Sequence, residues 1–446
     1  MDFFASLTLG EKVFPHRNPG VAWFWIFLPA LLAYLSLLMQ SLNGKPFIGS
    51  IEVYDGDFEK IVALKYPIEV IATGMKRGDG PMWVDNDDSL PYLLYSDTVQ
   101  NSIFKWEEGK GFFTVGKTLY LPKSGCRAKE SKLDGEICSD GDGESNHTLS
   151  ETILASEKYC GSLREPGSSG LARVYAPTLE AGESAPLDML VCQHGMRSIV
   201  LQRDNGTRTV IVSHYKGKRL NSPADMAWSP EGHLYFTDPT FGLAAASTSD
   251  IRTSERGNSN TTQELRKTQE YSRDQEQPVR GVYMVHSNDI AKAIRTGEPA
   301  KNVFLIDGKM SQPKGLAFSP GYSRLYVSNA DRMNAYWKVF DVNSAGLAHK
   351  GRVFYNATAE EVITPSVRGK PGGIKTDIMG NVYATGPGGL FVLDAQAKML
   401  AKFNLDREAT GVAFGTDGRL YITTEDALLR KWMKTRPPNP PSSAMK

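Results

Sequence analysis

The sequence predicts an all-β fold, a six-bladed β-propeller, preceded by one N-terminal transmembrane helix. Three observations carry this. A pattern of short apolar strands joined by Gly/Asp turns recurs six times between Gly78 and Trp432. Gly (42) and Pro (25) make up about 15% of the 446 residues without low complexity, which implies many tight turns. Val21–Leu42 is a run of 22 residues without a charged side chain.

Residues 1–20 read as a cytosolic N-terminus and 21–42 as an uncleaved membrane anchor. The apolar run exceeds the 7–15 residues of a signal peptide and follows a long lead-in. Pro29 is tolerated in a spanning helix, and Trp23 and Trp25 sit where interfacial aromatics gather. Lys12 and Arg17 precede the run; Lys45 follows it, then Glu52, Asp55 and Asp57. This bias places the bulk of the chain in the lumen or outside the cell. A linker is expected over 43–57, the propeller over 58–433, and a disordered proline-rich tail over 434–446.

The six copies are GDGPMWVDNDDSLPYLLYSD, GLARV with LDMLVCQHG, ADMAWSPEGHLYFTD, KGLAFSPGYSRLYVSN, GGIKTDIMGNVYATG and TGVAFGTDGRLYITTED. Each is followed by another strand-like run, such as SIFKW or GLFVLD. A unit of several short strands over about 40–50 residues is a propeller blade. The aligned residues Tyr95, Val191, Tyr235, Tyr326, Tyr383 and Tyr421 are 96, 44, 91, 57 and 38 apart. The two long gaps hold polar inserts at 123–160 and 244–280, expected to be exposed and partly disordered. Closing the ring requires an outer strand from the N-terminal side, and Phe58–Tyr66 is the expected one.

Lys plus Arg (51) balances Asp plus Glu (50), which argues against a nucleic-acid partner. Sequons at Asn146, Asn205, Asn260 and Asn356 agree with a luminal propeller. Two of Cys126, Cys138 and Cys160 should pair in an oxidising compartment, and Cys192, in an apolar run, should be a buried thiol. The run Asp140, Asp142, Glu144 and Glu151 mimics a calcium loop, but Ser145 stands where that loop needs glycine. No G-x-S-x-G elbow, zinc-spaced His/Cys cluster or phosphate loop occurs.

The ordered motifs GPMW, YSDTVQNSIFKW, VCQHG, KGKRLNSPADMAW, GHLYFTDPTFGL, GLAFSP, YVSNAD and GVAFGTDGRLYIT resemble the gluconolactonase family. That family includes the senescence-marker proteins and luciferin-regenerating enzymes. The resemblance implies a divalent metal, usually calcium, in the central channel, polarising a lactone carbonyl while a carboxylate handles the proton. Carried over to this chain, the metal-ligand positions are Asp79, Ala224, Lys314 and Gly372, and two further channel positions are Ser169 and Gly411. Only Asp79 offers a charged oxygen, so the metal site is expected to be lost and no cofactor is expected. A lysine ammonium at 314 is expected to replace the cation and to approach Asp79 within about 4 Å.

Asp79, Asp225 and His194 are the candidate catalytic residues; for His194 the competing expectation is a core histidine satisfied by a backbone carbonyl. The resemblance implies a lactone or ester hydrolase. A non-enzymatic ligand- or protein-binding propeller and a strictosidine-synthase-like condensing enzyme are the alternatives. The expected partners are a small molecule in the central channel and a membrane through 21–42.

Overall fold

The computed structural model describes residues 47–86, 89–109, 117–126, 160, 162–174, 188–243, 275–358 and 367–439. The anchor at 21–42, most of both inserts and the end of the tail lie outside the described residues. Among the described residues, no helix is long and apolar enough to cross a membrane.

Ile48–Lys446 form one unit in which six antiparallel sheets are the expected blades. Each blade is a meander, so most pairing is between chain neighbours. The innermost strands are Gly78–Asn86, Ser168–Arg173, Met226–Trp228, Pro313–Phe318, Ile374–Thr376 and Ala409–Phe414. The aligned residues Tyr95, Val191, Tyr235, Tyr326, Tyr383 and Tyr421 all lie on second strands and are all buried. A buried phenol needs a partner. Tyr383 and Tyr421 donate to the turn carboxylates of Asp377 (3.1 Å) and Asp417 (2.6 Å), and Tyr235 to Gly346 O (2.5 Å).

The acidic or amide residue ending many second strands also has a structural task. Asp97 accepts the N–H groups of Lys76 (2.8 Å) and Arg77 (3.3 Å). Asp238 accepts those of Asn221 and Ser222, and Asn329 that of Gln312. In these three blades this side chain holds the loop that enters the innermost strand, and so places the first channel residues.

The ring closes differently from expectation. Its outer strand is Glu69–Thr73, which pairs antiparallel with Ala427–Trp432, Glu69 opposite Arg430 and Thr73 opposite Ala427. The expected strand at Phe58–Tyr66 instead opens with a one-turn helix, Phe58–Ile61. Phe58 and Ile61, three residues apart on one helix face, both enter the core beside Phe403, Leu405 and Met433. Within the expected linker, Ser50–Val53 adds a fifth strand to the fifth blade by pairing with Met399–Asn404. The tail expected to be disordered from 434 is hydrogen-bonded at its start: Lys434 N donates to Ile61 O and Ile378 N to Arg436 O. One helix went unread, Ser287–Thr296, which buries Ile290, Ala293 and Ile294 on a single face.

The blades meet so closely at the axis that glycine is required there. Gly80 has φ +51°, and a Cβ on it would sit 2.1 Å from Ser169 O. A Cβ on Gly315 would sit 2.2 Å from Gly372 O. Gly80→Ala should therefore combine overpacking against backbone with a left-handed alanine, a cost on the order of 2–4 kcal/mol. Urea unfolding measures it, and an unchanged midpoint would contradict the close blade contact.

Candidate functional site

The channel residues share one architectural position. Each stands at the start of an innermost strand or, for Ala224 and Gly372, two residues before it, and immediately before the close-contact position held by Gly80 and its counterparts. In blade order they are Asp79, Ser169, Ala224, Lys314, Gly372 and Thr410. Gly411 lines the channel as expected, but it is the counterpart of Gly80; the residue in register with Asp79 is Thr410. Hydroxyl groups tie these positions from blade to blade. Ser96 donates to Ser169 O (2.7 Å), Thr237 to Lys314 O (2.5 Å), Ser328 to Gly372 O (2.6 Å) and Thr410 to Gly78 O (2.5 Å).

Asp79 and Lys314 face each other across the axis. Lys314 Nζ lies 3.0 Å from Asp79 Oδ2, within the expected reach, and Ser169 Oγ donates to the same oxygen at 2.8 Å. The two residues are 4% and 5% exposed. Burial opposes the charge on Asp79, but Lys314, Ser169 and Arg77 outweigh it and hold the carboxyl below its usual value. Asp79, Lys314, Asp225 and Lys375 together line a channel cavity of about 20 Å³, room for about one water.

Ala224 and Gly372 offer no side-chain oxygen to this site. Ala224 O accepts Gly170 N (2.7 Å), and Gly372 O is the acceptor of Ser328. Among the described residues, no three His, Cys, Asp or Glu side chains stand together as a metal-binding group. Asp225 lines the same channel, but both of its oxygens accept backbone N–H groups, Oδ1 from Met226 (2.9 Å) and Oδ2 from Leu316 (3.1 Å). It therefore sutures the third and fourth blades. Burial raises its carboxyl pKa, opposed by Lys375 and these N–H groups.

Above the pair lies a charged collar that the sequence reading did not pick out. Arg77 Nε lies 3.1 Å from Glu165 Oε1, and its Nη2 lies 2.7 Å from Glu408 Oε1. The Lys370 ammonium sits 3.9 Å over the Phe241 ring. Phe241 belongs to the third blade and Lys370 to the loop entering the fifth, so this contact spans the inner end of the fourth. Burial lowers the Lys370 pKa to about 8, helped by Arg77 and opposed by Glu408 and Glu165. A signal was present: Arg77, Lys370 and Glu408 each stand two residues before a channel position, at 79, 372 and 410.

His194 is 1% exposed, as expected of a core histidine; no ring hydrogen bond has ideal geometry, and the backbone carbonyl of Glu165 acts on the ring as a weak acceptor. Burial lowers its pKa, opposed by Glu165 and Asp79 and assisted by Lys314. A depressed folded pKa means that the unfolded chain takes up a proton first as pH falls. Stability from His194 should be fully present above about pH 6.5 and decline below it. Thermal melts from pH 8 to 5 should show this decline, and His194→Gln should flatten it; parallel curves would contradict the neutral buried ring.

Cys126 and Cys160 form a disulfide, and Cys192 is a buried free thiol. The bridge spans the first insert five residues before Glu165. Asn205 and Asn356, the sequons among the described residues, are both exposed.

Six blades around a narrow channel, with the polar residues gathered at the strand starts, define a propeller whose site lies at the axis. The chain belongs to the SMP-30/gluconolactonase/LRE-like family, whose sequence model matches residues 77–426. It is 29% identical over 400 residues to a gluconolactonase of Zymomonas mobilis subsp. mobilis, covering 89% of each chain. Its fold is similar to that of a gluconolactonase from Xanthomonas campestris (TM-score 0.57, 20% identity, 86% of this chain and 97% of that one). It is also similar to a luciferin-regenerating enzyme (TM-score 0.51, 15% identity, 83% and 96%).

Proposed function

We propose that this propeller hydrolyses a lactone or related cyclic ester at the mouth of its channel without a divalent metal. The observation that carries the reading is the Lys314–Asp79 pair at 3.0 Å. A hard divalent cation needs six or more oxygen ligands, several of them from protein. The donor set here is one carboxylate already engaged by an ammonium, with alanine and glycine at two of the remaining positions. These residues do not fit a calcium ion, and a lysine beside it would repel it. The similarity to a gluconolactonase over 89% of both chains supports lactone chemistry. The engagement of both Asp225 oxygens by backbone favours the second reading, a non-enzymatic binding propeller, because it removes one carboxylate from service.

The test is hydrolysis of a panel of sugar lactones by the full-length protein, followed by acid release with and without EDTA, together with metal analysis. The expected result is turnover above the buffer rate that EDTA leaves unchanged, with no stoichiometric metal. Calcium-dependent turnover would overturn the metal-free reading. Lactone binding without turnover would favour the second.

We also propose that residues 21–42 anchor the propeller on the luminal or extracellular side of a membrane. The charge-free run and the exposed sequons Asn205 and Asn356 support this. Carbonate extraction should leave the full-length chain in the pellet, and endoglycosidase should lower its mass. A soluble product beginning after residue 42 would overturn the anchor.

A further inference from the structure

Two cations around the channel mouth are met by carboxylates at close range. Lys314 lies 3.0 Å from Asp79, and Arg77 lies 3.1 Å from Glu165 and 2.7 Å from Glu408. Lys370 is different. Among the described residues, no carboxylate lies within ion-pair reach of its ammonium and no oxygen accepts its protons. Its contact is the face of Phe241, 3.9 Å away. An ammonium carries three donors, and a ring face leaves those on the far side free. Lys370 is partly exposed and its Nζ is open to water.

The backbone delivers this ammonium to the mouth with little freedom. Gly388 N donates to Arg368 O (2.8 Å) and Gly372 N to Thr385 O (3.0 Å), so the chain is pinned two residues before Lys370 and two residues after it. Between these points Gly369 turns the chain at φ +101°, and Pro371 fixes its own φ. Phe241 is pinned as well: Thr240 N donates to Gln312 Oε1 (3.1 Å) and Gly242 N to Ser222 Oγ (3.1 Å). A cation held at its backbone and at its charged end is preorganised for a ligand. Arg77 and Lys314 both act on it electrostatically, which places it over the same channel as the Asp79 pair. Burial and these two cations oppose its charge, and Glu408 and Glu165 offset them only in part, so its pKa falls to about 8. An anion beside the ammonium would reverse that loss.

We infer that Lys370 recognises a carboxylate carried by the substrate, so that the substrate class is an acidic sugar lactone. This rests on the hydrolase reading above and deepens it by naming the substrate class. A carboxylate at this place receives charge-assisted hydrogen bonds from protons that no protein group uses. One unmet ammonium matches one negative charge. The second charge of a phosphate would find Arg77 already held by Glu165 and Glu408, and both carboxylates would repel it. A neutral hydroxymethyl group would leave the ammonium unmet, so the site separates acidic lactones from neutral ones by charge. The sign with pH follows. Lys370 carries its charge below about pH 8 and loses it above, so the preference for the acidic lactone should be strong at pH 7 and fade as the pH rises through 8.

The test uses the full-length protein and two matched sets of probes. In steady-state kinetics, D-glucaro-1,4-lactone and D-glucono-1,4-lactone differ only in a carboxylate against a hydroxymethyl group. The wild type should favour the acidic lactone in kcat/KM by about tenfold or more at pH 7, the usual worth of a hydrogen bond to a charged group. Lys370→Met keeps the stem over Phe241 and removes the charge, so it should abolish that ratio; Lys370→Arg should keep part of it. A ratio is insensitive to a general loss of folded protein. In calorimetry, D-glucuronate should bind at least tenfold more tightly than D-glucose, again only with Lys370 in place. An active wild type with equal kcat/KM for the two lactones, or a ratio unchanged in Lys370→Met, would overturn the inference while leaving the hydrolase reading intact. A wild type that opens neither lactone would overturn the hydrolase reading, whereas a Lys370-dependent preference for D-glucuronate would then sustain the anion site by itself. Tighter binding of D-glucose 6-phosphate than of D-glucuronate would overturn the carboxylate in favour of a phosphate.

Discussion

Lys314→Met should destabilise the propeller by about 3–5 kcal/mol, because it strips the ammonium from a carboxylate that has almost no access to water. Asp79 would keep Ser169 as a donor but lose its counter-ion at 3.0 Å. The variant should respond by raising the Asp79 pKa, so that its deficit shrinks as the solution is acidified. In the wild type the sign is the reverse. Asp79 has a depressed folded pKa, so its contribution is present above the unfolded carboxylate range and is lost as pH falls through the lower folded value. The double variant Asp79→Leu with Lys314→Met should regain much of the stability, since an apolar pair of similar volume can replace a buried ion pair at little cost. Denaturant unfolding of the three proteins at pH 7 and pH 5 measures all of this. A Lys314→Met midpoint equal to wild type would mean that the pair is wet and not a built-in substitute for a cation.

The second large effect should come from the Cys126–Cys160 bridge. It closes a separation of 34 residues, and loop-closure entropy for that length amounts to about 3–4 kcal/mol. Changing both cysteines to serine should lower the unfolding midpoint by a matching amount. The local consequence should be larger than the global one at the channel mouth. Cys126 is buried under Asn101, which accepts its N–H and donates to its carbonyl. The chain from Cys160 reaches Glu165 in five residues, so loss of the bridge should also loosen Glu165 from Arg77. Proteolysis near 160–165 in the double variant but not in the wild type would register this. Peptide mapping that pairs Cys138 with either partner would refute the bridge itself.

The propeller and its six blades were legible because a blade is a local object. Its strands are joined by short turns, so Gly, Asp and the buried second-strand tyrosine recur at readable spacing. Asp79 and Lys314 were legible through the family resemblance: flanking Gly78 and Gly80, and Pro313 and Gly315, set their register against the family's ligand positions, and equal positions in different blades face one axis. Cys192 and the pairing of two cysteines around the first insert were readable from the apolar and polar character of their surroundings.

Only the tertiary structure decided where the ring closes. Phe58–Tyr66 carries the stronger apolar run, but its Phe58 and Ile61 gain more by packing as a helical turn beneath Phe403. The less conspicuous Glu69–Thr73 takes the edge because an outer strand needs backbone partners more than side chains to bury. The collar of Arg77, Glu165, Glu408 and Lys370 likewise carries no local pattern of strand or helix; its members lie in loops from different blades and meet only because the blades are wound into a circle. His194 was visible as a residue, and its apolar sequence neighbours determine that it is buried. That Gly242 and the backbone of Glu165 are what enclose its ring depends on how segments far away in the chain pack around it.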